Sequence, residues 1–347
     1  MLNDENIIKQ FDANDALGVA ARQCEQAKFD AVVNNAVSGD LGIKNIVVAG
    51  MGGSALAAVL AKAWLKLELP ISIEVVRTYD LPNYVNADTL VIASSYSGNT
   101  EETINCLEQA IQNGAKIAVL ASGGKLIEMA DANQFTYVAL PNGLQPRMAV
   151  IYNLCALVTV LNNFGIVGRE KLDEVTGTYE WLHEETSKWS ADVPSEQNYA
   201  KQIALQAAGK TAIFYGGSLT MPVAYKWKIS WNENAKNVAF WNELPEFNHN
   251  EFLGWSSHPV EKPFVVFDII SNLEHPRILK RFEISDKLLS GLRPKSIPIN
   301  LAGDTAIKQL LWGSILADYA SIYLAVLNGI NPTPVDLIEK LKVELTK

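Results

Sequence analysis

Thr89-Leu90-Val91-Ile92-Ala93-Ser94-Ser95-Tyr96-Ser97-Gly98-Asn99-Thr100-Glu101-Glu102-Thr103 passes directly from an apolar run into a hydroxyl-rich one. The run Thr89 to Ala93 predicts a buried strand, and the spacing of Ile104, Leu107 and Ile111 beyond it predicts a helix. The stretch between them is therefore a loop at a strand's carboxyl end that opens a helix. It places Ser95, Tyr96, Ser97 and Thr100 within six residues, around Gly98. A helix start offers unpaired N–H groups and the positive end of the helix dipole. Together these suit an anion, and a dianion above all. Asn99 with Glu102 three residues on also fits a capping box. A cap would account for those two residues and leave Ser95 and Ser97 unexplained.

The same pattern surrounds this loop. Ile46 to Ala49 reads as a strand, Gly50-Met51-Gly52-Gly53-Ser54 as its turn, and Ala55 to about Leu67 as a helix that Pro70 stops. Strands follow at Ile71 to Val76, Lys116 to Ala121 and Phe135 to Ala139, with a helix around Leu126 to Ala130. Near-continuous apolar strands alternating with helices predict a doubly wound α/β domain with a mainly parallel sheet. Ligands of such sheets sit beyond the strands' carboxyl ends, where both Gly50–Ser54 and Ser94–Thr100 lie. Before the first strand, Leu17, Ala20, Ala21 and Cys24 share one helical face.

Pro141 to Arg147 punctuates the chain before a long helix, Met148 to Phe164, and a second helical stretch from 168 to about 189. The alternation then resumes. Thr211 to Tyr215 reads as a strand, and Gly216-Gly217-Ser218 echoes the earlier glycine turn. Further strands are expected at Val238 to Trp241, Phe264 to Ile270 and Ser296 to Leu301, before a long apolar helix from Thr305 to Asn328. The expectation is two α/β domains of one kind, residues 1–165 and 166–347, each a mainly parallel sheet flanked by helices.

Composition narrows the function. A net charge of −9 argues against a general nucleic-acid surface. The N-terminus has neither the basic nor the apolar region of a secretory signal, and no apolar stretch is expected to reach the roughly 18 residues of a membrane span. Cys24, Cys106 and Cys155 match no zinc spacing and read as small core residues in a reducing, cytoplasmic setting. None of the four histidines forms an HxH or HxxxH pair, so no metal site is expected. Gly50-x-Gly52-x-x-Ala55 formally fits a dinucleotide fingerprint, but the second strand ends Val75-Val76-Arg77 without the acid that would hold a ribose.

The stretch Lys226 to Trp255 is unusual in holding four of the eight tryptophans together with several carboxylates and His249. Trp227 and Trp231, four residues apart, read as core. Glu233 falls near the end of their helix, as a general base or as a surface acid paired with Lys236. His249 sits in an irregular polar segment after Pro245, where its tautomer can be fixed. Arg147, after Pro146 at a helix start, is either a cation for substrate oxygens or one half of a salt bridge. An anion loop, a carboxylate base and a histidine fit aldose–ketose isomerisation of a sugar phosphate, which requires no metal or redox cofactor.

At these residues the chain resembles a known family. Gly50–Ser54 and Ser94–Thr103 are similar to the two phosphate loops of the sugar isomerase (SIS) domain. Asn232-Glu233-Asn234-Ala235-Lys236, Leu244-Pro245-Glu246-Phe247-Asn248-His249-Asn250-Glu251 and Leu144-Gln145-Pro146-Arg147 resemble the bifunctional phosphoglucose/phosphomannose isomerases. The resemblance implies that Ser54, Ser95, Ser97 and Thr100, with the backbone at Gly53, bind the phosphate. It implies Glu233 as the base for the C1/C2 proton, His249 as the ring opener supplied across a homodimer, and Arg147 beside the enediolate. It places Ser321 where the family uses a hydroxyl near the C2–C3 bond. Neither a nucleic acid nor a membrane is implied as partner. The alternatives are a non-catalytic sugar-phosphate-binding regulator and an aminosugar-phosphate isomerase.

Overall fold

The computed structural model describes residues 1–37, 39 and 41–345. They form two compact units. One comprises Arg22–His183 with Asp304–Leu311; the other comprises Met1–Ala21, Glu184–Gly303 and the chain from Trp312 onward. These units divide the chain at other points than the expected 1–165 and 166–347. Helix Glu170–Thr176 packs on helix Val150–Asn163 and so stays with the unit before it. The N-terminal segment joins the later unit: the amide and hydroxyl of Ser195 both donate to Asn3, and Asn331 donates to Asn14 at 2.8 Å.

In the unit that begins at Arg22, β1 (Val33–Asn34), β2 (Asn45–Gly50), β3 (Ile73–Val76), β4 (Thr89–Ser94), β5 (Lys116–Ala121) and β6 (Thr136–Ala139) form one sheet in the order β1-β6-β5-β4-β2-β3. All pairings are parallel except that of β1 with β6. Every residue of β4 is buried, as are all but the first of β2 and β5, because helices cover both faces. Val47, Ala49, Val91, Ala93 and Val119 pack one face against Cys106, Leu107 and Ala110 of helix Glu101–Gln112.

The other unit holds β7 (Thr211–Gly216), β8 (Ala239–Glu243), β9 (Phe264–Ile270) and β10 (Ile297–Asn300), all parallel, in the order β10-β9-β7-β8. That order repeats β5-β4-β2-β3, so the glycine-turn echo in the sequence corresponds to a repeat of topology. Trp227 and Trp231 of helix Met221–Glu233 are fully buried around Phe214, with ring centroids 5.4 and 5.1 Å away.

Two expectations are corrected. The helical stretch 168–189 is two helices, Glu170–Thr176 and Tyr179–Ser187, separated at Gly177, a residue that favours helix ends over interiors. The helix Ala306–Leu327 does reach 22 residues, long and apolar enough by length and composition to span a membrane. Of its most apolar window 94% is buried, which is how a helix that is hydrophobic all round behaves in a protein core.

Candidate active site

β3 lies on one side of β2 and β4 on the other, so the sheet reverses its winding between β2 and β4. Gly50 at the end of β2 and Ser94 at the end of β4 are register partners. The two loops expected to hold an anion therefore leave neighbouring strands side by side at the switch point. They are also bonded together: the backbone N–H of Tyr96 donates to Ser54 Oγ at 2.9 Å. Ser95 Oγ and Thr100 Oγ1 share a hydrogen bond of 2.7 Å. Ser54 and Ser95 are buried, whereas Ser97 is exposed at the loop's tip.

The capping-box reading of Asn99 is overturned. The N-cap of helix Glu101–Gln112 is Thr100, whose side chain bonds Ser95 and caps nothing. Asn99 reaches across instead, and its carbonyl oxygen accepts from the backbone N–H of Lys125 at 3.0 Å, in the first turn of the next helix. Met51, the N-cap of helix Gly52–Trp64, also makes no side-chain cap. Two helix starts at the switch point thus keep their first-turn N–H groups clear of any cap from their own N-cap side chains, which suits an anion.

Close backbone approach brings in the third segment. A Cβ at Gly53 would overlap the carbonyl oxygen of Pro146 and stand 3.1 Å from Cα of Arg147. Glycine at 53 is what lets the 144–147 segment lie against the phosphate-loop candidate. The phenol of Tyr96 secures that segment, donating to Pro141 O at 2.7 Å and accepting from Leu144 N at 3.1 Å. Burial pushes that phenol's pKa up, so Tyr96 is a structural member of the hydroxyl cluster. Arg147 is 2% exposed, with Nη1 3.4 Å from Gln145 Oε1.

In the other unit, Glu233 is the half-buried last residue of helix Met221–Glu233. The residue after it, Asn234, is buried and tied down: its amide donates to Ser321 Oγ at 2.9 Å and to Asp318 Oδ1 at 3.4 Å. The same Asp318 oxygen accepts from Lys226 Nζ at 2.7 Å and Ser230 Oγ at 2.8 Å. Lys226 and Asp318 are both fully buried, so each supplies the charge that the other needs in order to be there. Ser321 donates in turn to Asp318 O at 3.0 Å and has no exposed surface. Outside this network, Lys236, in the left-handed region at φ 55°, donates to the carbonyls of Glu233 and Pro332. The sequence reading missed this network. Lys226, Ser230 and Asn234 recur every fourth residue, and Asp318 is the single acid in the apolar run 306–327; those were its signals.

His249 ends the 3-10 turn Glu246–His249 and is exposed, while its neighbours are anchored. Phe247 is buried against Tyr215, with centroids 4.4 Å apart. Asn248 donates to Ser285 Oγ at 2.8 Å and accepts from Arg281 at 3.1 Å. Glu251 accepts from Tyr215 and from Asn242. The histidine is thus held out on a fixed mount. Among the described residues, no group of three or more His, Cys, Asp or Glu is arranged to hold a metal ion.

Known proteins bear on these residues. Residues 42–161 match the SIS domain, and 196–345 match the bacterial phospho-glucose isomerase C-terminal SIS domain. A bifunctional phosphoglucose/phosphomannose isomerase of Caldicellulosiruptor bescii is 36% identical over 307 residues, covering 88% of this chain and 90% of that protein. A D-glucosamine-6-phosphate 4-epimerase of Sulfolobus acidocaldarius is 35% identical over 235 residues, covering 66% and 70%. Among solved structures, a glucose-6-phosphate isomerase like protein from Thermus thermophilus shares the fold, with a TM-score of 0.66, 16% identity and 98% coverage of both chains.

Proposed function

The chain belongs to the bifunctional phosphoglucose/phosphomannose isomerase family, and we propose that it interconverts glucose 6-phosphate and fructose 6-phosphate, and mannose 6-phosphate with them. The phosphate end of this reading rests on one observation: two helix starts at the switch point, without caps from their own N-cap side chains, beside joined hydroxyl loops. Gly53 N–H, Ser54, Ser95, Ser97 and Thr100 hold the phosphate there. At the other end of the sugar, His249 moves a proton between O5 and O1 and opens the ring. Glu233 removes the C2 proton, giving a cis-enediolate whose negative oxygen Arg147 steadies. Returning that proton to C1, as the O2 hydroxyl's proton passes to O1, yields fructose 6-phosphate; in reverse, delivery to either face of C2 yields glucose or mannose 6-phosphate.

Ser321 enters this scheme differently from the family resemblance. Its hydroxyl is bonded both as donor and as acceptor and is fully buried. We assign it to holding Asn234, and through it Glu233, rather than to touching the sugar.

The reading includes a homodimer in which His249 serves the partner's site. Its support is the exposed imidazole on an anchored mount, with Leu253 75% exposed four residues on. Three free, buried cysteines favour a reducing compartment, and the cytoplasm is the proposed location.

The epimerase relative supports a second reading, an aminosugar phosphate as substrate. An assay of the purified protein on glucose, mannose and glucosamine 6-phosphates separates the two. Turnover of glucosamine 6-phosphate alone would overturn the isomerase reading. Glu233→Gln should abolish isomerisation and leave fructose 6-phosphate binding nearly intact; unchanged turnover would remove Glu233 from the base role.

A further inference from the structure

The repeated strand order makes β7 the counterpart of β2 and β9 the counterpart of β4. The second unit therefore has its own switch point, between β7 and β9, where Gly216-Gly217-Ser218 leads towards helix Met221–Glu233. The groups that stay open in the first unit are closed in the second. Gly217 N–H donates to Thr220 Oγ1 at 2.7 Å. Leu219 N–H donates at 2.8 Å to Oε2 of Glu274, a side chain 7% exposed. A Cβ at Gly217 would overlap that carboxylate, so glycine here admits an oxyanion belonging to the chain itself. Helix Pro276–Leu288, the counterpart of the helix that Thr100 leaves uncapped, is capped by His275, whose Nδ1 accepts from Arg277 N at 3.1 Å.

Glu274 comes from the loop after β9, which corresponds to the loop that supplies Ser95, Ser97 and Thr100 after β4. We propose that its carboxylate is an internal surrogate for a phosphate, closing an anion cradle that the second unit inherited from the repeat. Carboxylate and phosphate both present anionic oxygens to backbone N–H groups at a helix start, and only one can occupy the space. The consequence is a single sugar phosphate per chain, bound at the first unit. This rests on the assignment of the phosphate to the loops at Gly53 and Ser95.

Backbone amide spectra of the full-length protein, recorded as inorganic phosphate is added, test both statements separately. In the native protein the amides of Gly53 and Ser54 should shift, while those of Gly217 and Leu219 stay in place. In Glu274→Ala the Leu219 amide should also respond to phosphate, and the number of phosphates bound per chain should rise from one to two. Movement of Leu219 with phosphate in the native protein overturns the surrogate, and this arm needs no variant to fold. A folded Glu274→Ala chain whose Leu219 amide ignores phosphate overturns it too. If Leu219 responds in Glu274→Ala while Gly53 and Ser54 never respond, the surrogate stands and the assignment of the first cradle falls.

Discussion

At Gly53 the need for a hydrogen in place of a methyl is steric, because the Pro146 carbonyl occupies the space. Gly53→Ala should displace the 144–147 segment that carries Arg147. A loss of about 1–3 kcal/mol of stability is expected from such overpacking, with weakened substrate affinity; thermal melting and KM measure the two. Asp268 on β9 makes a pH-dependent prediction. Burial raises its pKa from 3.8 to about 6, against the lowering effects of the Ser296 hydrogen bond and Arg293. A carboxyl whose folded pKa lies above its unfolded one lends stability below the unfolded value and loses it as pH rises through the folded one. Asp268→Asn should therefore gain stability relative to native between about pH 4 and pH 8, by up to about 3 kcal/mol across that range. Denaturant melts at both pH values would show it; a pH-independent difference would contradict it. The residues proposed to carry the chemistry stood out in the sequence because Ser, Gly, Glu and His clusters contrast with an apolar background. Their partners did not. Asn99 looked like a local cap because the sequence does not reveal that Lys125 lies within reach, and nothing in the sequence singled out Glu274 as the acceptor for Leu219 N–H.

The helix Met221–Glu233 shows what one element must do at once. Its tryptophans face the apolar core, and its polar stripe Lys226-Ser230-Asn234 is buried against Asp318 and Ser321. Its last residue, Glu233, the proposed base, is left half-buried. Ser321→Ala removes a donor to Asp318 O and the acceptor of Asn234, which should cost about 1–2 kcal/mol of stability. With Asn234 loosened, kcat should fall roughly tenfold at similar KM on both aldose phosphates. A loss confined to mannose 6-phosphate would place the hydroxyl against the sugar instead. Elements were easier to read than their ends. β9 agrees residue for residue with the expected Phe264–Ile270, since seven consecutive apolar or buried positions admit few alternatives. The break at Gly177 was hidden by the stripe of Leu172, Val175, Tyr179 and Leu182, which continues across it.

Across the whole molecule, the repeat has diverged in use while keeping its strand order. One copy retains open helix starts, and the other supplies the side chains proposed as acid and base. If His249 serves a partner's site, mixing Glu233→Gln with His249→Ala chains should restore activity to both-parent hybrids, up to about a quarter of native specific activity if subunits exchange freely and one of the two sites per hybrid is intact. No recovery under proven subunit exchange would assign His249 to its own chain. The division of the chain was the least legible feature. Residues 1–21 and 304–311 join units far from them in sequence, and only tertiary contacts reveal that.

The bare start of helix Glu101–Gln112 has a consequence for how the protein behaves as metabolite levels change. A ligand that completes the first turn becomes part of the folded structure, and it adds stability as RT ln(1 + [L]/Kd), about 2.7 kcal/mol at a hundredfold excess over Kd. Hydrogen exchange at Glu102 and Thr103 should slow in proportion to bound sugar phosphate, while the buried amides of β4 change far less. The enzyme's resistance to heat and proteolysis would then follow the size of the hexose phosphate pool, making its persistence a measure of its own supply.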